Sequence, residues 1–370
     1  MQNNSRIVSV RAYTFLYREY NDELLKQTEQ DTMATKLADI AQKAGVSQAT
    51  ISRVINGKPG VSQDTRKTVL DTLSSMGMSK KSLHRSETRL IALITPDLSN
   101  PIFPEFITEF VTLLAQHELL TVVCTYTPSG ASESKFLTML QNQPIGAAIF
   151  LAGIYDTRDA NLSIYRSLSE RNIPCAFLNG GARDMNGLYA STDDQAAMTM
   201  ALRHLTDLGH TKIGLLLGDR NHYPTVSKYD AAQRFFADQG LKHESSLTQW
   251  TKYGLESGRM AARTLLEHGA TAIACASDQL ALGAIRAARS MGLSVPDDIS
   301  VTGYDDSLEM STISPSLTTV RQPVGKISQS VVNGIVAMMN NHQIAERRDT
   351  LYFEPELIVR ESTGRCAPRA

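Results

Sequence analysis

One stretch limits what this chain can become more than any other: Thr35–Arg66, TKLADIAQKAGVSQATISRVINGKPGVSQDTR. Leu37, Ile40, Ala41 and Ala44 recur at helical spacing and give a first helix one apolar face. Gly45 ends that helix, Val46 plugs a sharp helix-to-helix turn, and Ser47 stands where an N-cap accepts orphan backbone N–H groups. The next helix turns Ile51, Val54 and Ile55 inward and leaves Gln48, Ala49, Thr50, Ser52, Arg53 and Asn56 on or near its outer side. Small, amide, hydroxyl and guanidinium groups gain little from packing. They match base-pair edges, where Arg spans two guanine acceptors and Gln pairs with adenine. A three-helix pack with a solvated polar face shares the same periodicity. The Ala-Gly-Val-Ser turn together with this outer face selects a helix-turn-helix that reads DNA.

Asn56-Gly57-Lys58-Pro59-Gly60 is a turn-rich loop, Ser62 a cap, and Thr65, Val69, Leu70, Leu73 and Met76 form the stripe of a third helix. Lys36, Ser47, Thr50, Ser52, Asn56 and Thr65 are candidates for phosphate contacts, which set register without reading sequence. Charge agrees. Residues 33–86 hold nine Lys/Arg against three Asp/Glu, a net +6, while residues 1–32 carry −1 and the remainder −6. The whole-chain charge of −1 therefore conceals a basic module joined to an acidic body.

The segment DIAQKAGVSQATISRVINGKPGVSQDTR resembles the DNA-binding headpiece of the lactose-repressor/galactose-repressor (LacI-type) family of bacterial transcription regulators. The matches continue at Gly303-Tyr304-Asp305-Asp306 and Leu317-Thr318-Thr319-Val320-Arg321-Gln322-Pro323, so the resemblance spans about residues 35–362. Its motifs are specific for the family and far less so for a ligand. Family members usually follow the third helix with an aromatic, a Pro-Asn pair and a hinge helix that pushes a Leu into the minor groove. Here Met78–Ser86 is about one turn shorter and lacks Pro-Asn. Two readings stay open: Leu83 as the wedge, with Lys80, Lys81 and Arg85 on phosphates, or a basic flexible linker.

From Arg89 onward apolar runs alternate with helical segments: LIALIT, LTVVCTY, GAAIFLAG, PCAFLNG, KIGLLLGD, TAIACASD and DISVTGYDD. Such runs point to parallel strands covered on both faces, in two doubly wound sets. The expected fold is an all-α helix-turn-helix headpiece plus an α/β periplasmic-binding-protein-like core of two doubly wound parallel-sheet subdomains. The expected organisation is an extension over 1–32, the DNA-binding domain over 33–78, a shortened basic linker over 79–88, a core over 89–362 and a tail over 363–370. The resemblance divides the core into one subdomain of about 89–191 and 321–348 and another of about 192–320 and 349–362. It also implies three chain crossings and a cleft that closes over ligand.

Open α/β sheets bind ligands beyond the C-terminal ends of their strands. Asn100 and Phe103 follow the first strand, Asn179 follows CAFL, Ser277 follows AIACA and Asp305 follows SVTG; Trp250 is the only tryptophan. Asn100, Asn179 and Asp305 offer paired acceptors and donors for vicinal hydroxyls, and Trp250 offers an aromatic face, the chemistry a sugar requires. Asp and Asn also cap helices, and a Trp is often core; the case rests on the group standing at the family's ligand positions. Lys228 stands where the family commonly has Arg, as a point charge in place of a planar fork. Either the effector differs from a plain neutral sugar or Asp230 pairs Lys228. Asp278 reads as a helix cap and His210 as structural.

For residues 1–32, which match nothing in the family pattern, two readings compete: a real extension, or an over-long reading frame with Met33 as the true start, which is favoured. Cys124, Cys175 and Cys275 lie in apolar strand-like runs and read as buried thiols of a cytoplasmic protein; Cys366 stands apart. No apolar run approaches the about 20 residues of a membrane helix. With dispersed histidines and no nucleophile–base pair, phosphate loop or metal cluster, no enzyme, cofactor or metal is expected. A solute-binding protein without regulatory role is the competing reading, opposed by the helix-turn-helix. The expected partners are a pseudo-palindromic operator duplex, a carbohydrate effector and a second copy of the chain, since no long Leu-heptad tail follows Arg360.

Overall fold

The computed structural model describes residues 38–55, 60–76, 90–126, 132–141, 143–180, 185–340 and 350–366. These fall into two compact units that part between residues 89 and 90.

In the smaller unit a first helix, α1, runs over 38–44, followed by α2 (Gln48–Ile55) and α3 (Gln63–Ser75). Gly45 takes φ +67°, the left-handed value that lets the chain leave α1, and the Val46 N–H reaches back to Ala41 O at 3.0 Å. Ser47 caps α2 by accepting the Thr50 N–H at 3.2 Å, and Ser62 does the same for Thr65 ahead of α3. Ile40, Ile51, Val54 and Val69 are wholly buried with Ala41 and Leu73, and Val46 packs against them from the turn. Leu70 departs from the expected stripe. It is 36% exposed, because Val69 and Leu73 already fill the inward face one turn apart.

The larger unit holds two six-stranded sheets. The first is built from β1 (Leu90–Pro96), β2 (Leu120–Tyr126), β3 (Ala147–Phe150), β4 (Cys175–Leu178), β5 (Leu188–Thr192) and β11 (Thr350–Phe353), in the order β11-β5-β4-β3-β1-β2. The second is built from β6 (Ile213–Leu217), β7 (Thr248–Trp250), β8 (Ala272–Cys275), β9 (Ser300–Asp305), β10 (Thr318–Arg321) and β12 (Glu356–Ile358), in the order β12-β10-β9-β8-β6-β7. Helices α4 (Ile102–Gln116), α5 (Glu133–Leu140), α6 (Ser163–Glu170) and α11 (Val324–Asn340) belong with the first sheet. Helices α7 (Asp194–Asp207), α8 (Tyr223–Asp238), α9 (Leu255–Glu267) and α10 (Asp278–Ser290) belong with the second. Among the described residues, no helix is long and apolar enough to cross a membrane.

The expected subdivision needs correction at its last crossing. Thr350–Phe353 pairs in parallel with β5 and so completes the first lobe, whereas the sequence reading assigned all of 349–362 to the second. The chain changes lobes after Thr192, after Arg321 and between Phe353 and Glu356, where β12 joins β10 antiparallel. β2 is also not a strand covered on both faces. Leu120, Val122 and Val123 are exposed at the sheet edge, and Cys124 alone in that strand is buried.

Candidate nucleic-acid interface and inter-lobe site

On α2 the buried positions recur every three to four residues, which leaves a contiguous outer face. Gln48, Ala49, Ser52 and Arg53 are exposed, and Thr50 is half-buried with its hydroxyl 2.9 Å from Ser47 Oγ. Thr65 mirrors Thr50 at the start of α3, its hydroxyl 2.8 Å from Ser62 Oγ. Ser47, Thr50 and Thr65 therefore work as helix-start residues while keeping oxygen atoms near the surface. Lys36, Asn56 and Leu83 lie outside the described residues.

In the larger unit the strand ends bring most of the expected effector residues to the boundary between the lobes. Asp305, at the end of β9, is 4% exposed with φ +126°. Its Oδ1 accepts the Gln322 side-chain N–H at 2.7 Å, and its Oδ2 has no hydrogen-bond partner among the described residues. Burial, and next the neighbouring Asp278, raise its pKa well above the carboxylate range; Gln322, Lys228 and Asn100 oppose this. Asn100 thus reaches toward Asp305 from the other lobe. Gln322 in turn accepts the Thr192 hydroxyl at 2.9 Å, so one amide ties together two chain crossings. Asn179 ends β4 with φ +61° and spends its side-chain N–H on Leu151 O at 3.1 Å. Left-handed backbone at Asn179, Asp305 and Asp306 concentrates strain at these strand ends.

The other expected residues are engaged differently. Phe103 is half-buried in the first turn of α4, its N–H bonded to Asn100 O at 3.1 Å. Ser277, 2% exposed, caps α10 by accepting the Leu280 N–H, so the cap is Ser277 and not Asp278. Asp278 instead receives Thr319 Oγ1 at 2.6 Å and the Ser307 N–H at 2.9 Å, and burial raises its pKa to about 7 against those bonds. Trp250, at the end of β7, leans on Tyr229 with centroids 4.9 Å apart and lies under the Arg220 guanidinium at 5.1 Å. Lys228 is 2% exposed. Its ammonium pairs with Asp194, not Asp230, and sits 3.8 Å above the Tyr304 ring, whose hydroxyl also donates to Asp194. His210 is buried between Thr271, Ser300 and Gly364 O, a structural role.

Sequence reasoning passed over Asp194, Gln322 and the pair Asp156–His222, in which His222 Nδ1 lies 2.5 Å from Asp156 Oδ1 across the lobe boundary. The signal for Asp156 was its place just beyond β3, at a strand end like the others.

Comparison with known proteins agrees with both units. Residues 36–78 match the family described as bacterial regulatory proteins, lacI family, and residues 202–363 match the periplasmic binding protein-like domain. The HTH-type transcriptional regulator reg1 of Streptomyces lividans is 40% identical over 90% of this chain and 97% of its own length. A solved complex of the transcriptional regulator CelR with cellobiose superposes with a TM-score of 0.67 at 25% identity, covering 88% of this chain and 99% of the other. The lac repressor dimer bound to operator and an anti-inducer gives 0.66 at 25% identity, with 88% and 98% covered. With its helix-turn-helix unit and two-lobed receptor, the chain belongs to the lacI family of bacterial transcription regulators.

Proposed function

We propose that this regulator is a cytoplasmic repressor whose operator affinity is set by a small sugar-like effector held between the lobes. The observation that carries the reading is Asp305: a buried carboxylate on left-handed backbone, with one oxygen unpaired, and with Asn100 reaching toward it from the opposite lobe. A pair of sugar hydroxyls would satisfy that oxygen and the neighbouring amide together. Buried polar groups left without a partner carry a desolvation penalty of about 1–3 kcal/mol, so their pairing by ligand favours the liganded form. Asn179 and Phe103 would complete the first-lobe wall, and Trp250 the second once Arg220 moves off its face. Ser277 and Lys228 would act from behind, through α10 and through Tyr304.

On DNA, Gln48, Ala49 and Arg53 would read base edges while Lys36, Ser47, Thr50, Ser52, Asn56 and Thr65 hold phosphates and Leu83 fills the minor groove. A homodimer would present two headpieces to a pseudo-palindromic site. Effector binding would bias the lobe arrangement and hence operator affinity, a coupling between two distinct sites. No catalytic role belongs to this reading, and turnover of a bound sugar would remove it. The solute-binding alternative leaves the helix-turn-helix without purpose.

The test is a thermal-shift screen of neutral sugars and sugar phosphates, followed by gel shifts of a pseudo-palindromic duplex with each hit. One class of sugar should raise the melting temperature and change operator affinity, and Asp305→Asn should abolish both effects. Arg53→Ala should weaken specific binding about 5- to 150-fold, the loss expected for one bidentate base contact. Equal affinity for operator and random duplex in the unsubstituted chain, with every sugar, would overturn the proposal.

A further inference from the structure

The lobes meet at a place apart from their chain crossings. Beyond β3 the chain makes a short helical turn, Ile154–Asp156, and the loop after β6 reaches His222 just before α8. Thr157 and His222 form an antiparallel bridge, and the Arg158 N–H donates to Asn221 O at 3.0 Å. Beside that bridge lies the Asp156–His222 pair, the carboxylate side chain 4% exposed and the imidazole 35%. One backbone bridge and one side-chain pair thus join loops from different lobes.

The first-lobe side of this junction is firmly backed. Gly153 N–H points at Asp156 Oδ2 at 3.4 Å, and Glu133 accepts the Ile154 N–H at 2.8 Å while receiving the Tyr165 hydroxyl. Asp156 therefore cannot swing away to find water without unmaking the turn. A buried carboxylate needs a cation, a proton or several donors, and His222 is the residue that brings a charge to it from the second lobe.

We propose that Asp156 and His222 form a charge-controlled clasp between the lobes, closed while the imidazole carries its second proton and loosened when that proton leaves. Protonated, the pair joins two opposite charges in contact; with the imidazole neutral, only a hydrogen bond from a neutral donor to the carboxylate would remain. Asp219 faces the imidazole from its own loop. Glu133, Tyr126 and Tyr155 face Asp156 from within the first lobe, and Tyr253 does so from the second. Arg158 and Arg220 sit on the two joined loops, Arg220 over Trp250.

Hydrogen bonding of the imidazole to the Asp156 carboxylate raises the histidine's pKa, against the opposing effect of burial. The sign follows. The clasp's contribution is fully present below the ordinary histidine value of about 6.5 and is lost as pH rises through the raised one. The inference holds whatever the effector is.

The test uses the full chain without effector or operator, so its outcome is separate from that of the sugar reading. Spin labels go on exposed positions in each lobe, Met139→Cys and Gln233→Cys, in a Cys366→Ser background. Between about pH 6 and about pH 8, a range that spans histidine titration, the lobe-to-lobe distance should lengthen or broaden. His222→Gln should give the loosened distribution at both values, and His222→Lys, a permanent cation, the tight one at both. By proton NMR, the His222 titration should move to lower pH in Asp156→Asn. A pH response in His222→Gln equal to that of the parent, or no response in the parent, would overturn the clasp. Should Asp156→Asn fail to fold, the two His222 variants decide alone.

Discussion

Among the described residues, three helices of the receptor unit open on a buried carboxylate, Glu133, Asp194 and Asp278, and the first two are neutralised in different ways. Glu133, 3% exposed, is the first residue of α5 in the first lobe. A phenol (Tyr165) and a backbone N–H (Ile154) point at it, its neighbour Asp156 is another carboxylate, and burial pushes its pKa up to about 7. Asp194, 8% exposed, is the first residue of α7 in the second lobe, where the Lys228 ammonium and the Tyr304 hydroxyl meet it. Burial moves Glu133 toward its protonated form, whereas Asp194 is met by a counter-ion; Asp278, in the second lobe, is raised as Glu133 is. The packing around each follows the same division. The first lobe places rings near its acid, Phe150, Tyr155, Tyr165 and Phe177, and four of those pairs meet edge-on. The second joins α9 to α10 by a seam of small residues in which Gly258 and Gly283 let the backbones touch. Near neutral pH, Glu133 is therefore a proton-sensitive point in the first lobe, as Asp278 is in the second, where the seam adds a sensitivity to volume.

The largest effect should come from breaking the counter-ion. Lys228→Met leaves Asp194 charged, buried and held by a hydroxyl alone, and should lower stability to chemical denaturation by about 4 kcal/mol. Adding Asp194→Leu should recover most of that, because removing both charges of a buried pair is often nearly neutral. A single variant within about 1 kcal/mol of the parent would show that water reaches the pair. Next comes the seam. A Cβ on Gly283 would stand 2.5 Å from Arg259 N and from Leu255 O, both backbone atoms that a rotamer change cannot relieve. Gly283→Ala should cost about 3 kcal/mol, the upper range for overpacking. On Gly325, where a Cβ meets nothing within 4 Å, the same change should be close to neutral.

This contrast also marks where sequence reasoning reached and where it stopped. The helix-turn-helix was legible because its signals are local: Gly45, Ser47 and the 3.6-residue stripe act within one or two turns. The long apolar runs of β1, β3, β4, β6, β8 and β9 were legible because strands buried on both faces need continuous apolar sequence. β7 and β12, three residues each, and β11, with Tyr352 44% exposed, carry no such run, and the last crossing was misplaced for that reason. The partner of Lys228 was illegible for a different reason. Asp230 is close in sequence, but residues two apart on a helix face away from each other. Asp194 lies a whole strand and helix earlier and meets Lys228 only after the sheet has formed. That Asp305, Asn100 and Asn179 stand at strand ends was legible from position, since the ends of strands in an open sheet are predictable. Their strain, and the unpaired oxygen of Asp305, were not.

The smaller effects test the proton side of the comparison. Glu133 has a folded pKa of about 7 against an ordinary 4.5, so its contribution to stability is complete below the ordinary value and lost as pH rises through the folded one. Between about pH 5 and about pH 8 that loss amounts to about 2 kcal/mol. Glu133→Gln keeps the acceptor oxygen and the shape, so thermal melts of this variant should lack that fall. Tyr165→Phe is the finer probe. It removes a donor that favours the ionised acid, so the Glu133 midpoint, followed by carbon-13 NMR of labelled glutamate, should move above about 7. The stability lost should also depend on pH. At about pH 5 the acceptor is neutral and the bond is worth about 1 kcal/mol; at about pH 8 it is charged and the loss should be roughly twice that. If the midpoint moved down, or the loss were the same at both pH values, the phenol would be packing against Glu133 without stabilising its charge. Glu133 would then be governed by burial and the Ile154 N–H alone, and the counter-ion of Asp194 would still set the second lobe apart.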